Sequence, residues 1–189
     1  MNRADQERWD RKYRERVPAP EITPDPFLVS CVQGLSGGTA LDVACGFGDN
    51  AIYLAGRGFE VTAIDISQIG LQSARKRATA AGAAVRFVWT DAEDFSFEAE
   101  RFDLISAFFF LNRPVFAGIK RALKPGGVFV YRTFTVDELR YRPELSRHYL
   151  LEKGELPRCF ADFEICLYKE IDTGKAAVAE CMVKRLDMR

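Results

Sequence analysis

The segment 40–67, ALDVACGFGDNAIYLAGRGFEVTAIDIS, carries the residues best suited to chemistry: a glycine turn with Gly46 and Gly48 and, seventeen positions past Gly48, the acid Asp65. Glycines before a helix allow tight turning and close backbone approach to a ligand, and a carboxylate ending the next buried strand can accept both hydroxyls of a ribose. Gly46, Gly48 and Ala51 also satisfy the G-x-G-x-x-A form of dinucleotide folds, so the glycines alone do not choose the ligand. Asp42 before the turn and Asp49 after it set negative charge where a pyrophosphate would be repelled. A cationic, phosphate-free nucleoside suits that place better.

The elements that position these residues can be read from the pattern. Strands are expected over 39–44, 61–64, 85–89, 102–109 and 128–131, with helices over 27–35, from 50 to the stop at Gly58, over 68–81 before Gly82, and over 114–123 before Lys124-Pro125-Gly126-Gly127. The runs 163–170 and 176–184 flank Asp172-Thr173-Gly174 and predict an antiparallel hairpin. The fold class expected is α/β: a Rossmann-like, doubly wound, mostly parallel seven-stranded sheet with a C-terminal antiparallel hairpin, in one domain over residues 1–189.

The stretch DVACGFGDNAIYLAGRGFEVTAIDIS resembles the first motif and ribose acid of class I S-adenosylmethionine-dependent methyltransferases, especially the small-molecule branch related to tellurite-resistance methyltransferases. Trp9, Asp10, Lys12 and Tyr13 are similar to that branch's W-D-x-x-Y helix, Asp91-Ala92 to its adenine motif, FDLISAFFFLNRPVF to its fourth strand and loop, and LKPGGVFVYRTF to its fifth strand. One departure is Ala44, where the common pattern has glycine. The resemblance implies an enzyme with S-adenosyl-L-methionine as cofactor and S-adenosyl-L-homocysteine as product, moving a methyl group to a small molecule such as a thiol or a metalloid oxyanion. It implies cofactor contacts from Asp42, Ala44, Gly46, Gly48, Asp65, Ile66, Asp91, Ala92 and Phe108, with residues 1–20 as a lid helix. Trp9 and Tyr13 lie one turn apart on that helix among charged neighbours, so they share a face suited to closing over the cofactor.

Ligands of open α/β sheets bind beyond the carboxyl ends of the strands, which places the arginine- and tyrosine-rich insertion 133–156 over the acceptor. Acceptor contacts are expected from Asn112, Arg113, Tyr131, Arg132 and His148, with Phe108 and Asn112 as pocket walls; in the Phe108-Phe109-Phe110 run, strand alternation sends neighbouring rings to opposite faces. Because the sulfonium already activates the methyl, orientation alone can supply roughly 7–11 kcal/mol of barrier reduction. His148, the single histidine, is the candidate base, and a thiolate acceptor would need none. Two other classes fit the first motif: a non-catalytic S-adenosylmethionine or adenosine-binding module, and a nicotinamide-dependent oxidoreductase. The latter would need further crossovers and a substrate domain.

A chain of 189 residues, 48% hydrophobic, can bury one large core. Its 27 basic and 27 acidic side chains cancel, so no global field favours nucleic acid or an anionic membrane, and no apolar run approaches the roughly 20 residues of a membrane span. A cytoplasmic location is expected. The five cysteines are unevenly spaced and read as reduced thiols. Cys31, Cys166 and Cys181 are expected in the core and Cys45 as a small residue beneath the cofactor; no metal is expected.

Overall fold

Parallel strands covered on both faces appear as near-continuous apolar runs, and TALDV and EVTAID fold accordingly. The structure is a computed structural model describing residues 2–187; it divides into two compact units, Met1–Ser96 and Phe97–Arg189. The first unit runs α1 (Arg3–Glu15), α2 (Pro26–Cys31), β1 (Thr39–Val43), α3 (Asp49–Gly56), β2 (Glu60–Asp65), α4 (Gln68–Ala80) and β3 (Val85–Trp89). Its strands are ordered β3-β2-β1 and all run parallel, with Ala40 beside Val61 and Val61 beside Val85. Leu41, Val43, Leu54 and Leu71 are fully buried. Helix starts follow side-chain chemistry: Asp25 accepts from the Phe27 amide ahead of α2, and Ser67 accepts from the Gly70 amide at the start of α4. Gly48, at φ +83°, begins α3, and a Cβ there would lie 3.0 Å from the Ala74 methyl, so glycine lets α3 and α4 approach.

The second unit comprises β4 (Phe102–Phe108), α5 (Val115–Ala122), β5 (Leu123–Phe134), two short 3-10 turns (Val136–Arg140 and Arg147–Tyr149), α6 (Glu155–Cys159), β6 (Glu164–Asp172) and β7 (Ala177–Lys184). The order is β4-β5-β7-β6, with β4 and β5 parallel and β7 antiparallel to both its neighbours. One face of β5 packs into an aromatic cluster of Phe116, Phe129, Tyr131 and Phe160, with ring centroids 5.3–6.5 Å apart.

Several expectations need correction. Lys124-Pro125-Gly126-Gly127 lies inside β5 rather than between helix and strand: pairing jumps from Phe102–Leu123 to Leu104–Val128, and Gly126 takes φ +76° to carry the irregularity. The first short helix ends at Cys31 instead of residue 35. Cys181 is buried, but Cys31 is half-buried and Cys166 is exposed on β6. Among the described residues, no helix is long and apolar enough to cross a membrane.

Candidate active site

In the first unit the chain leaves β1 through three left-handed residues, Ala44 (φ +56°), Gly46 (φ +55°) and Gly48 (φ +83°). Ala44 thus takes the conformation of the glycine it replaces, at roughly 1 kcal/mol. Gly46 has no such latitude, because a Cβ there would lie 2.6 Å from the Tyr13 hydroxyl oxygen. Asp65 ends β2 only 5% exposed. Its two oxygens accept from the Gly46 and Ser67 amides, each at 2.8 Å, which fastens the strand end to the turn. Burial pushes its carboxyl pKa up to about 6, against the lowering effect of those amides, and the neighbouring Asp10 adds to the rise. Asp42 is buried at the end of β1. After β3, Asp91 accepts from the Glu93 amide at 3.2 Å and from the Asn2 amide at 3.0 Å, and Ala92 beside it is buried. The Ile66 carbonyl accepts from the Trp89 indole at 2.9 Å.

Helix α1 is docked through a charge. Asp10, its buried residue, accepts from the Ser67 hydroxyl at 2.5 Å and the Ile69 amide at 3.2 Å, placing its carboxylate at the positive end of α4. Tyr13 lies over the glycine turn, 4.8 Å from Phe47 and edge-on to it. Its hydroxyl is held well above the usual pKa, chiefly by burial and next by the Asp65 charge. Trp9 is half-buried and stacked under the Lys12 ammonium at 4.4 Å.

Two residues did not stand out in the sequence. Asp10 was visible only as part of a motif, and Arg77 carried no signal at all. Arg77 grips Asp49 with two bonds of 2.8 Å and also donates to the carbonyls of Phe47, Ala19 and Glu21. That corrects the charge argument made from Asp49: its carboxylate is neutralised by Arg77 and also accepts from the Thr23 amide at 2.7 Å, so it adds no net charge to favour a cation.

In the second unit, two residues expected at the acceptor are tied to neighbouring groups of the protein. Arg113 pairs bidentately with Glu155 at 2.6 and 2.9 Å and donates to the carbonyls of His148 and Leu150, each at 3.0 Å. Tyr131 is 1% exposed and gives its hydroxyl to the Phe110 carbonyl at 2.5 Å; burial raises its pKa. His148 is exposed, with its ring edge-on to Tyr149. Arg132 is half-buried, 3.5 Å from Glu180, and Asn112 and Phe108 are half-buried at and just past the end of β4.

A glycine turn between a buried parallel strand and a helix, with an acid closing the next strand, defines a nucleotide-binding α/β protein. Comparison with known proteins sharpens this. Residues 40–127 match the family model for a methyltransferase domain. The ubiquinone biosynthesis O-methyltransferase of Alkalilimnicola ehrlichii is 33% identical over 77% of the chain and 62% of its own length. That of Pseudomonas paraeruginosa is 32% identical over 82% of the chain and 69% of its own length. A solved structure described as "Conversion of a Disulfide Bond into a Thioacetal Group during Echinomycin Biosynthesis" superposes with a TM-score of 0.76 at 25% identity, covering 98% of this chain and 94% of that one. The chain belongs to the class I S-adenosylmethionine-dependent methyltransferases, with their Rossmann-like, mostly parallel seven-stranded sheet ending in antiparallel strands. It spans 62% and 40% of the first two curated relatives it matches.

Proposed function

We propose that the chain, acting as a single domain, transfers the methyl group of S-adenosylmethionine to a small-molecule acceptor in the cytoplasm. The observation that carries this reading is the Asp65 carboxylate, buried at the end of β2 and tied by 2.8 Å bonds to the glycine turn and to the start of α4. Each Asp65 oxygen keeps a further acceptor site beyond its amide bond, so the ribose hydroxyls can be added without displacing the turn. Asp91 accepts from the adenine amine while Ile66 and Ala92 flank the ring. Ala44, Gly46 and Gly48 bring backbone close to the cofactor, and Asp42 sits beneath it. Tyr13 and Trp9 on α1 cover the cofactor and exclude water.

When bound, S-adenosylmethionine supplies a sulfonium-activated methyl: the acceptor's lone pair forms the new bond to carbon, the carbon–sulfur bond breaks with its electrons left on sulfur, and the acceptor's proton passes to water. The protein's part is orientation, which suffices for an acidic nucleophile such as a thiol or a metalloid oxyanion. Asn112 and Arg132 line the acceptor side, and residues 133–156 cover it. Support comes from relatives named for O-methyl transfer and from a structural neighbour described by sulfur chemistry. The test is calorimetry with S-adenosylmethionine, S-adenosylhomocysteine and NAD, followed by a screen of small thiols, metalloid oxyanions and phenols for S-adenosylhomocysteine release. Binding of NAD in preference to S-adenosylhomocysteine overturns the reading.

A further inference from the structure

Beyond the end of β4 the second unit holds an aromatic residue in an unusual conformation. Phe109 has φ +53°, a region that a bulky side chain adopts only when its surroundings impose it, and its ring is 44% exposed. Its amide donates to the Arg132 carbonyl at 2.8 Å, continuing the β4–β5 ladder one residue past the strand. Phe108 pairs in register with Arg132, so Phe108, Arg132 and Phe134 share one face of the sheet. Simple alternation would send Phe109 to the opposite face. Instead its ring lies 4.8 Å from Phe134 at an angle of 38°.

We propose that the exposed ring of Phe109, backed by Phe134, is the seat for the body of the methyl acceptor, and that this acceptor is a flat aromatic molecule without net charge, bearing a hydroxyl or thiol. The proposal rests on the methyl-transfer reading and adds the acceptor's class. The exposed Phe109 ring at the carboxyl end of β4, backed by Phe134, offers a stacking surface where open α/β sheets take their ligands. The surrounding charges give an oxyanion little net attraction and so narrow the acceptor classes above. The Arg142 guanidinium lies 4.1 Å over Phe134, but it is bonded at 2.6 Å to Glu138. Glu138 is 1% exposed, and its other oxygen accepts from the Ala177 amide at 2.6 Å. Arg142 therefore stands over Phe134 as one half of an ion pair, its charge already compensated. Arg132, 5.6 Å from the Phe109 ring, has Glu180 at 3.5 Å. Each of the two cations has a carboxylate beside it, which weakens its pull on an anion and leaves the exposed Phe109 ring as the main feature for recognition.

The test uses the full chain saturated with S-adenosylhomocysteine and titrates 2-naphthol against selenite by calorimetry, in wild type and in Phe109→Gly and Phe109→Leu. Glycine is favoured at a positive φ, so Phe109→Gly is expected to keep or raise the melting temperature and leave S-adenosylhomocysteine affinity unchanged. Its affinity for 2-naphthol is expected to fall at least tenfold, with Phe109→Leu falling between. In turnover, the loss should appear in KM for aryl alcohols and aryl thiols rather than in kcat. A wild type that binds S-adenosylhomocysteine but takes selenite in preference to 2-naphthol overturns the acceptor class alone, as does Phe109→Gly with unchanged naphthol affinity. A wild type that fails to bind S-adenosylhomocysteine overturns the methyl-transfer reading, and this inference with it.

Discussion

The burial of Asp65 makes cofactor affinity depend on acidity in a calculable way. Its pKa of about 6 in the folded chain stands against an ordinary value of 3.8, and burial is the main cause. The native state therefore holds this proton more tightly than the unfolded chain. Its stability falls as pH rises from about 4 to about 6, by roughly 3 kcal/mol for a shift of about two units. Ribose hydroxyls donate to the ionised form, so binding relieves part of that penalty and must release a proton below pH 6. If only the carboxylate form binds, about one molecule in eleven is competent at pH 5, and the Kd for S-adenosylhomocysteine should be roughly tenfold weaker there than at pH 7.5. Calorimetry in buffers of different ionisation enthalpy measures both the affinity and the proton count. Asp10 is the charge that adds to the shift, and Asp65 in turn acts on Tyr13 and Cys45, so Asp65→Asn is the control. The variant should bind about ten- to a hundredfold more weakly, because its amide nitrogen faces a backbone N–H donor, and it should lose the slope between pH 5 and 7.5. A flat wild-type profile, or the same slope in Asp65→Asn, refutes the reasoning.

Asp91→Ala should weaken S-adenosylhomocysteine binding but not that of its inosine analogue, which lacks the donating amine; an unchanged ratio between the two ligands removes the adenine assignment. A chain starting at Glu21 loses the Asp10 cap on α4 and the Tyr13 cover on Gly46, and is expected to remain folded with cofactor affinity several-fold weaker and most turnover lost; full activity would exclude a lid role for α1. Arg77→Ala should lower stability by about 2 kcal/mol, since Asp49 is left partly buried without its partner, and a melting temperature within a degree of wild type would show that the turn does not depend on it.

The strands and the glycine turn were legible because backbone demands leave direct marks: apolar runs for buried parallel strands, glycine where φ turns positive, an acid at the strand end. Even Ala44, which breaks the glycine pattern, keeps the turn's conformation. Side-chain partnerships across long separations leave no such mark. Arg77 meets Asp49 twenty-eight residues away, and Arg113 meets Glu155 forty-two away, pairings that no local pattern announces. Tyr131 is similar: an aromatic hydroxyl in a strand reads as a reaching group, and its bond to the Phe110 carbonyl is not visible in the sequence. The β5 irregularity was hidden because Pro-Gly-Gly marks a break in helix without saying how a strand will absorb it.

The indole of Trp89, bonded to Ile66 at the end of β2, and that of Trp9, stacked beneath Lys12, are the chain's two tryptophans. Both fall in the first unit, and four of the six tyrosines, Tyr131, Tyr141, Tyr149 and Tyr168, fall in the second. Intrinsic emission is thus a built-in reporter of one half of the molecule. Ligand titrations can be followed without a label, and a denaturation curve read from tryptophan emission can be set against one read from backbone ellipticity. Coincident midpoints would mean that the two units melt as one cooperative body; separated midpoints would show which half gives way first.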